Sequence, residues 1–270
     1  MMLDELRKIG VFIKRDFHIM LTYRLAFSAM FLNMVFSLLY FILFGSMFGT
    51  RTPTVLLPYG GDYIYYLLVG SIGWGFLWTV MNATSASLRN EMMMGTLESV
   101  MLTVTRISTI VIAYTIFGCL MGLLTIAIIL IVGFFLFGIT IIGNIYAFFV
   151  MFLSTVMMMG LGMVFGGLTL WIKNIGNTIP LIQNIAMFFC GVYFPITILP
   201  KILQPIAKFI PFYYSIEGLR KTLQINSSLS EIYYFITILV LLDVLFIFLG
   251  LFTLRKGVVK AKKDGSLSFY

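Results

Sequence analysis

Long apolar runs dominate this chain, and short polar stretches punctuate them. The runs fall at about Leu25–Phe48, Tyr63–Ser87, Ile107–Phe137, Ile145–Leu170, Thr178–Phe194 and Glu231–Leu254. A helix crossing a hydrocarbon core of about 30 Å needs roughly 17–25 such residues, so the pattern predicts six transmembrane helices. The polar joints carry the expected breakers: Pro53, Pro58, Gly60 and Gly61 after the first run, and Gly138 to Asn144 after the third. Gly70, Gly73 and Gly75 in the second run, and Gly160, Gly162, Gly166 and Gly167 in the fourth, would let a neighbouring helix approach closely.

Three stretches depart from the plain span-and-loop rhythm. Residues 3–22 place Leu3, Leu6, Ile9, Ile13, Phe17, Met20 and Leu21 on one side and Arg7, Lys8, Lys14 and Arg15 largely on the other. That is the pattern of an amphipathic helix lying in the headgroup plane. Residues 89–106 form a polar island with Arg89, Glu91, Glu98 and Arg106, where Met92, Met93, Leu97, Val100 and Met101 recur at helical spacing. A single charge at mid-membrane costs about 2.5–3.5 kcal/mol on insertion scales, so the island predicts a short helix against the membrane face. It serves either as a plain spacer or as a handle for a soluble partner. The stretch 195–230 spaces Pro195, Pro200, Pro205 and Pro211 through apolar and aromatic residues. It is too polar to span and too apolar for a free loop, which suits short helices dipping into the outer leaflet with their backbone buried against protein.

Composition excludes a soluble globule. The chain is 61% hydrophobic and 10% charged, with a mean hydropathy of +1.06, against about 25% charged residues in soluble domains. All 270 residues are therefore read as one polytopic all-α membrane domain. The formal charge of +8 lies beside the membrane ends and calls for no nucleic acid. Thirteen Lys and Arg sit in residues 1–24, the island, the turn at 171–177 and the basic tail 255–270. The opposite side holds five: Arg51, Lys201, Lys208, Arg220 and Lys221. By the positive-inside rule both termini are cytoplasmic and 195–230 is external. No removable signal peptide is expected, and Cys119 and Cys190 read as buried thiols.

No phosphate-binding loop, zinc signature or C-x-x-C pair is present, and His18 is the only histidine. The chain is thus expected to be no enzyme, to hold no metal, and to draw energy from a partner or an ion gradient. Asp243, flanked by Val240-Leu-Leu and Val244-Leu-Phe, is the one carboxylate deep in a span. An intramembrane acid is a functional suspect, though pairing with a polar group of a neighbouring span is its expected role.

Two motifs resemble signatures of the ABC-2 type permease family. One is Arg89-x-Glu91 followed by Gly95-Thr96-Leu97-Glu98 and Arg106; Val104 stands where many relatives have proline. The other runs from Gly191-Val-Tyr-Phe-Pro195-x-x-x-Leu-Pro200 through Ile210-Pro211-Phe-Tyr-Tyr to Glu217-Gly-Leu-Arg220. The resemblance implies the membrane subunit of an ATP-binding-cassette exporter in the plasma (inner) membrane, two copies of which pair with two cytoplasmic ATPase subunits. ATP and Mg would be bound by those subunits, leaving this chain without a cofactor of its own. It further implies that 89–106 is the coupling helix, 3–22 the interface helix beside it, and 195–230 an external re-entrant hairpin.

In that family spans 1 and 5 line the path between the copies. Here they would offer Phe31, Phe36, Tyr40 and Phe44 with Met187, Phe188 and Tyr193, faces that lipid contact or core packing explains more readily residue by residue. An apolar path suits a hydrophobic or amphiphilic, drug-like or lipid-like cargo. The chain's 18 methionines offer adaptable contacts to it, and membrane lipid is the remaining partner. Arg220 and Lys221 would draw anionic cargo, unless Arg220 instead pairs structurally with Glu217 or Glu231. The competing readings are a polysaccharide or glycolipid exporter and an ion-coupled carrier acting alone.

Overall fold

A computed structural model of the chain describes residues 2–25, 27–29, 32–33, 35–36, 39, 43, 54–93, 95, 99, 107–172, 178–224 and 228–263. All regular structure among them is helical. Helix α1 (Met2–Thr22) precedes a 3-10 turn at Thr54–Tyr59, then α2 (Tyr63–Met93), α3 (Ile107–Phe137), α4 (Ile145–Trp171) and α5 (Thr178–Phe189). A second 3-10 turn (Ile196–Ile198), α6 (Gln204–Phe209), α7 (Pro211–Leu223) and α8 (Leu229–Lys263) complete the order.

Four of these helices, α2, α3, α4 and α8, are long and apolar enough to cross a membrane. Most of the first expected span, Leu25–Phe48, lies outside the described residues. The fifth is shorter than the sequence suggested. With 12 residues, α5 rises about 18 Å and cannot by itself cross a core of about 30 Å. It stops because Gly191 turns the chain with φ +73° and Pro195 follows.

The second span differs in the other direction. It was expected to end at Ser87, but α2 continues to Met93, so the start of the polar island is the last turn and a half of a spanning helix. The reason is the burial of Glu91 against α1 and α3.

α4 and α8 make the most extensive contact of the bundle, side by side and parallel. Their seam is a pair of glycine crossings seven residues apart. A Cβ on Gly250 would stand 2.6 Å from the Gly160 carbonyl oxygen, and one on Gly257 2.5 Å from that of Gly167. Only glycine admits such an approach of two backbones. α3 packs antiparallel on α2, and α1 lies along the start of α3.

At the opposite end, α6 and α7 form a helical hairpin around Ile210, with α7 wedged among α2, α4 and α8. Asn144 fixes this wedge. Its Oδ1 accepts from the Ala147 N–H at 2.8 Å to cap α4, while its Nδ2 donates to the Thr222 carbonyl at 2.5 Å near the end of α7. Gln224 Nε2 donates to the Pro58 carbonyl at 2.7 Å and closes the same end.

Candidate functional site

The charged residues singled out in the island do not all point outward. Glu91 is 6% exposed, and it sits where the end of α2 meets α1 and the start of α3. Arg15 of α1 reaches across with Nη1 2.8 Å from Glu91 Oε1. Tyr114 of α3 donates its hydroxyl to the same oxygen at 2.7 Å, and Arg15 Nη2 donates to that hydroxyl at 2.5 Å. Three helices from distant parts of the chain thus share one closed triangle of charge-assisted hydrogen bonds, about twice as strong as neutral ones.

Secondary contacts stiffen the triangle. Asp16 Oδ1 accepts from Arg15 Nε at 3.0 Å, and the guanidinium lies 5.1 Å from the Phe12 ring and 5.8 Å from the Tyr114 ring. About three turns earlier on α1, Glu5 accepts from Thr109 on α3 and pairs with Lys8 at 3.1 Å. Burial on its own would weaken the Arg15 proton's hold, but Tyr114, Asp16 and Glu91 outweigh it and raise the guanidinium pKa above its ordinary value. Burial also lifts the Asp16 carboxyl above the usual carboxylate range, with Arg15 pulling the other way. The Arg15 side chain nevertheless remains 36% exposed, so one face of the joint is uncovered.

A second node of the same residue types closes the hairpin end. Arg220 on α7 is 3% exposed. Its Nη1 donates to the Gly191 carbonyl at 2.6 Å and its Nη2 to that of Val192 at 2.9 Å, so the cation caps the chain just beyond the end of α5. The guanidinium stacks 3.6 Å from the centre of the Tyr66 ring, and Glu217 stands 3.7 Å away. Tyr59 donates to Glu217 at 2.8 Å, and Tyr66 donates to Gly191 at 2.8 Å. Burial first, then the neighbouring Glu217, drives the Tyr59 hydroxyl pKa well up, so it stays a donor. Glu231 pairs with Lys221 at 3.0 Å instead. Arg220 is therefore committed to the fold, and the idea that it draws anionic cargo from outside is set aside.

The remaining predicted site residues scatter more widely. Gly95 is an exposed turn residue with φ +68°. Arg89 lies on α2, but its side chain, with all of Thr96, Leu97, Glu98 and Arg106, lies outside the described residues; so do Phe31, Tyr40 and Phe44. Phe36 is exposed. Met187 and Tyr193 meet, hydroxyl to sulfur at 3.4 Å, and exposed Phe188 packs edge-on against Phe189 and Phe194. Pro195 is buried at the turn, Pro200 is exposed, and Pro211 starts α7. Asp243 is 6% exposed on α8, and its Oδ1 has no hydrogen-bond partner among the described residues, contrary to the pairing expected of it.

Reading the sequence alone missed Tyr114, the role of Arg15, and Tyr59 with Tyr66. The only signal for the first was an aromatic hydroxyl near the start of an apolar run, among Ser108, Thr109 and Thr115.

The sequence profile of the ABC-2 type transporter family matches residues 8–224, from within α1 through α7. No curated protein matches the chain.

Proposed function

Since the chain belongs to the ABC-2 type transporter family, we propose that it is the permease subunit of an ATP-driven exporter that moves a hydrophobic or amphiphilic compound outward. The observation that carries this is the Arg15–Glu91–Tyr114 triangle. A permease without catalytic groups needs a stiff lever where a motor can push. Here α1, the end of α2 and the start of α3 are bolted together beside the island 89–106. A push on the island then turns two spans and the interface helix as one body, and Glu91 acts by holding α1 rather than by meeting the motor. Glu98, Arg89 and Arg106 are left as the contacts offered to the ATPase.

The finer reading follows from the same frame. The charge distribution supports cytoplasmic termini with the hairpin α6–α7 external, and the family resemblance supports a plasma (inner) membrane. Ile202, Ile206 and the 91%-exposed Phe209 on that hairpin support its re-entry into the outer leaflet. The run Leu25–Phe48 and α5, continued by the turn at 190–195, supply the two further membrane segments. Exposed Phe36 and Phe188, beside Met187 and Tyr193, support an apolar path between two copies of the permease, each copy served by one ATPase subunit that binds ATP and Mg.

Photo-crosslinking tests this directly. Ser99, exposed in the island, should trap a soluble ATPase subunit when replaced by a photoreactive residue, and Ile202 on the hairpin should not. Absence of any soluble adduct at Ser99 would overturn the assignment. An ion-coupled carrier is favoured only by the unpartnered Asp243; transport by the purified chain without an ATPase, abolished in Asp243→Asn, would establish it.

A further inference from the structure

We propose that the end of α8 is a binding site for anionic phospholipid headgroups, set in the leaflet on the α1 side of the membrane. α8 is a single helix of 35 residues, about 52 Å long, so it outruns a core of about 30 Å by several turns. Its apolar run ends at Leu254. Arg255, Lys256, Lys260, Lys262 and Lys263 follow within the same unbroken helix, and all five are exposed.

Their placement around the helix singles out lipid as the occupant. Gly257, Val258 and Ala261 are buried, continuing the face with which Gly250 and Leu254 meet α4. At about 100° per residue the five cations fall within an arc of roughly 160° on the opposite side. That is the side on which Leu241, Val244, Leu245, Phe248 and Phe252 are exposed higher up. One stripe therefore runs down the helix, apolar at hydrocarbon depth and cationic at headgroup depth, and it faces sideways into the bilayer.

Two aromatic residues mark the boundary. Lys256 lies 4.6 Å from the ring centre of Phe252 and Lys260 5.5 Å from that of Trp171, a half-exposed tryptophan at the end of α4. None of the five cations pairs with an acidic side chain among the described residues, whereas Lys8, Arg15, Arg220 and Lys221 all do. Clusters of four or more Lys and Arg directly beyond a span attract anionic lipid headgroups. Here the cluster is also pre-ordered, because the glycine seam holds this part of α8 against α4.

The proposal rests on α8 crossing the bilayer, and one experiment separates the two. The full chain is placed in nanodiscs of phosphatidylcholine, or of phosphatidylcholine with a minor share of phosphatidylglycerol, with either lipid brominated near its headgroup. Tryptophan quenching then reports which lipid lies beside Trp171, and Trp171→Phe removes that signal from the background of Trp74 and Trp78. Brominated phosphatidylglycerol should quench at least about tenfold more effectively per molecule than brominated phosphatidylcholine. The preference should vanish when all five cations are replaced by Gln, and high salt should weaken it in the unaltered chain. Equal quenching by the two lipids would overturn the proposal while leaving the span intact, and no quenching by either would remove the span as well. A preference for phosphatidylglycerol that survives the five substitutions would also overturn it.

Discussion

The two ends of the bundle are each fastened by an arginine, a glutamate and tyrosine hydroxyls, yet they solve different problems. At the hairpin end Arg220 is sealed in, 3% exposed, with its strongest contacts to backbone carbonyls and a tyrosine ring and its glutamate at 3.7 Å. Glu217 is only three residues away on the same helix. That node shapes one local region, where α5 ends and α7 begins to pack. At the α1 end Arg15 keeps a 36%-exposed side chain, holds its glutamate at 2.8 Å, and joins residues that are 76 and 99 positions away. The first node is a clamp closed on itself. The second is a joint that binds separate helices and leaves one side exposed. Like composition therefore gives unlike function, and burial together with sequence separation decides which.

Breaking the clamp should have the largest effect. Arg220→Ala strands Glu217 in a buried site, and losing one partner of a buried pair costs about 3–5 kcal/mol. The folded yield in detergent should collapse, and a variant that melts like the parent would show the clamp to be dispensable. Gly70→Ala strikes the same clamp sterically, since its Cβ would lie 2.4 Å from Arg220 Nη2 and 2.3 Å from the Val192 carbonyl oxygen. Overpacking of this kind costs about 1–3 kcal/mol, which a thermal melt will resolve.

The joint should respond differently. Glu91→Ala removes two charge-assisted hydrogen bonds, but Asp16 still accompanies a half-exposed Arg15, so stability should fall by only about 1–2 kcal/mol. Its main effect is on coupling: ATP hydrolysis by the assembled transporter should continue while export per ATP drops severalfold, read as the ratio of the two rates in proteoliposomes. Tyr59→Phe is the mildest change. It deletes one donor to Glu217 and should cost about 1 kcal/mol with export unchanged.

How far all this was legible follows from the range of the forces involved. Apolar run length is a local property, and it located α2, α3, α4 and α8, while the equally local two-sided pattern located the amphipathic α1. The breakers Gly191 and Pro195 were visible too, although the run was carried on to Phe194. What a single sequence does not display is which polar group finds a partner far along the chain. Glu91 read as a surface charge because nothing nearby neutralises it; Arg15 and Tyr114 do so only once three helices have met. The matched spacing of Gly160 and Gly167 with Gly250 and Gly257 was present in the sequence, and pairing equal seven-residue intervals would have located the α4–α8 seam. Arg220 read as a candidate for cargo because its four partners come from α2, α7 and the turn after α5.

The rigidity of the joint is the claim on which the coupling account turns, and a spin-label distance measures it most directly. Labels at the exposed positions Val11 on α1 and Ser108 on α3 should give one narrow distance in the assembled transporter, unchanged between the nucleotide-free and ATP-trapped states, and broadened in Glu91→Ala. A second distance appearing in the unaltered protein on nucleotide binding would mean that α1 and α3 move apart, and the single-lever account would be wrong.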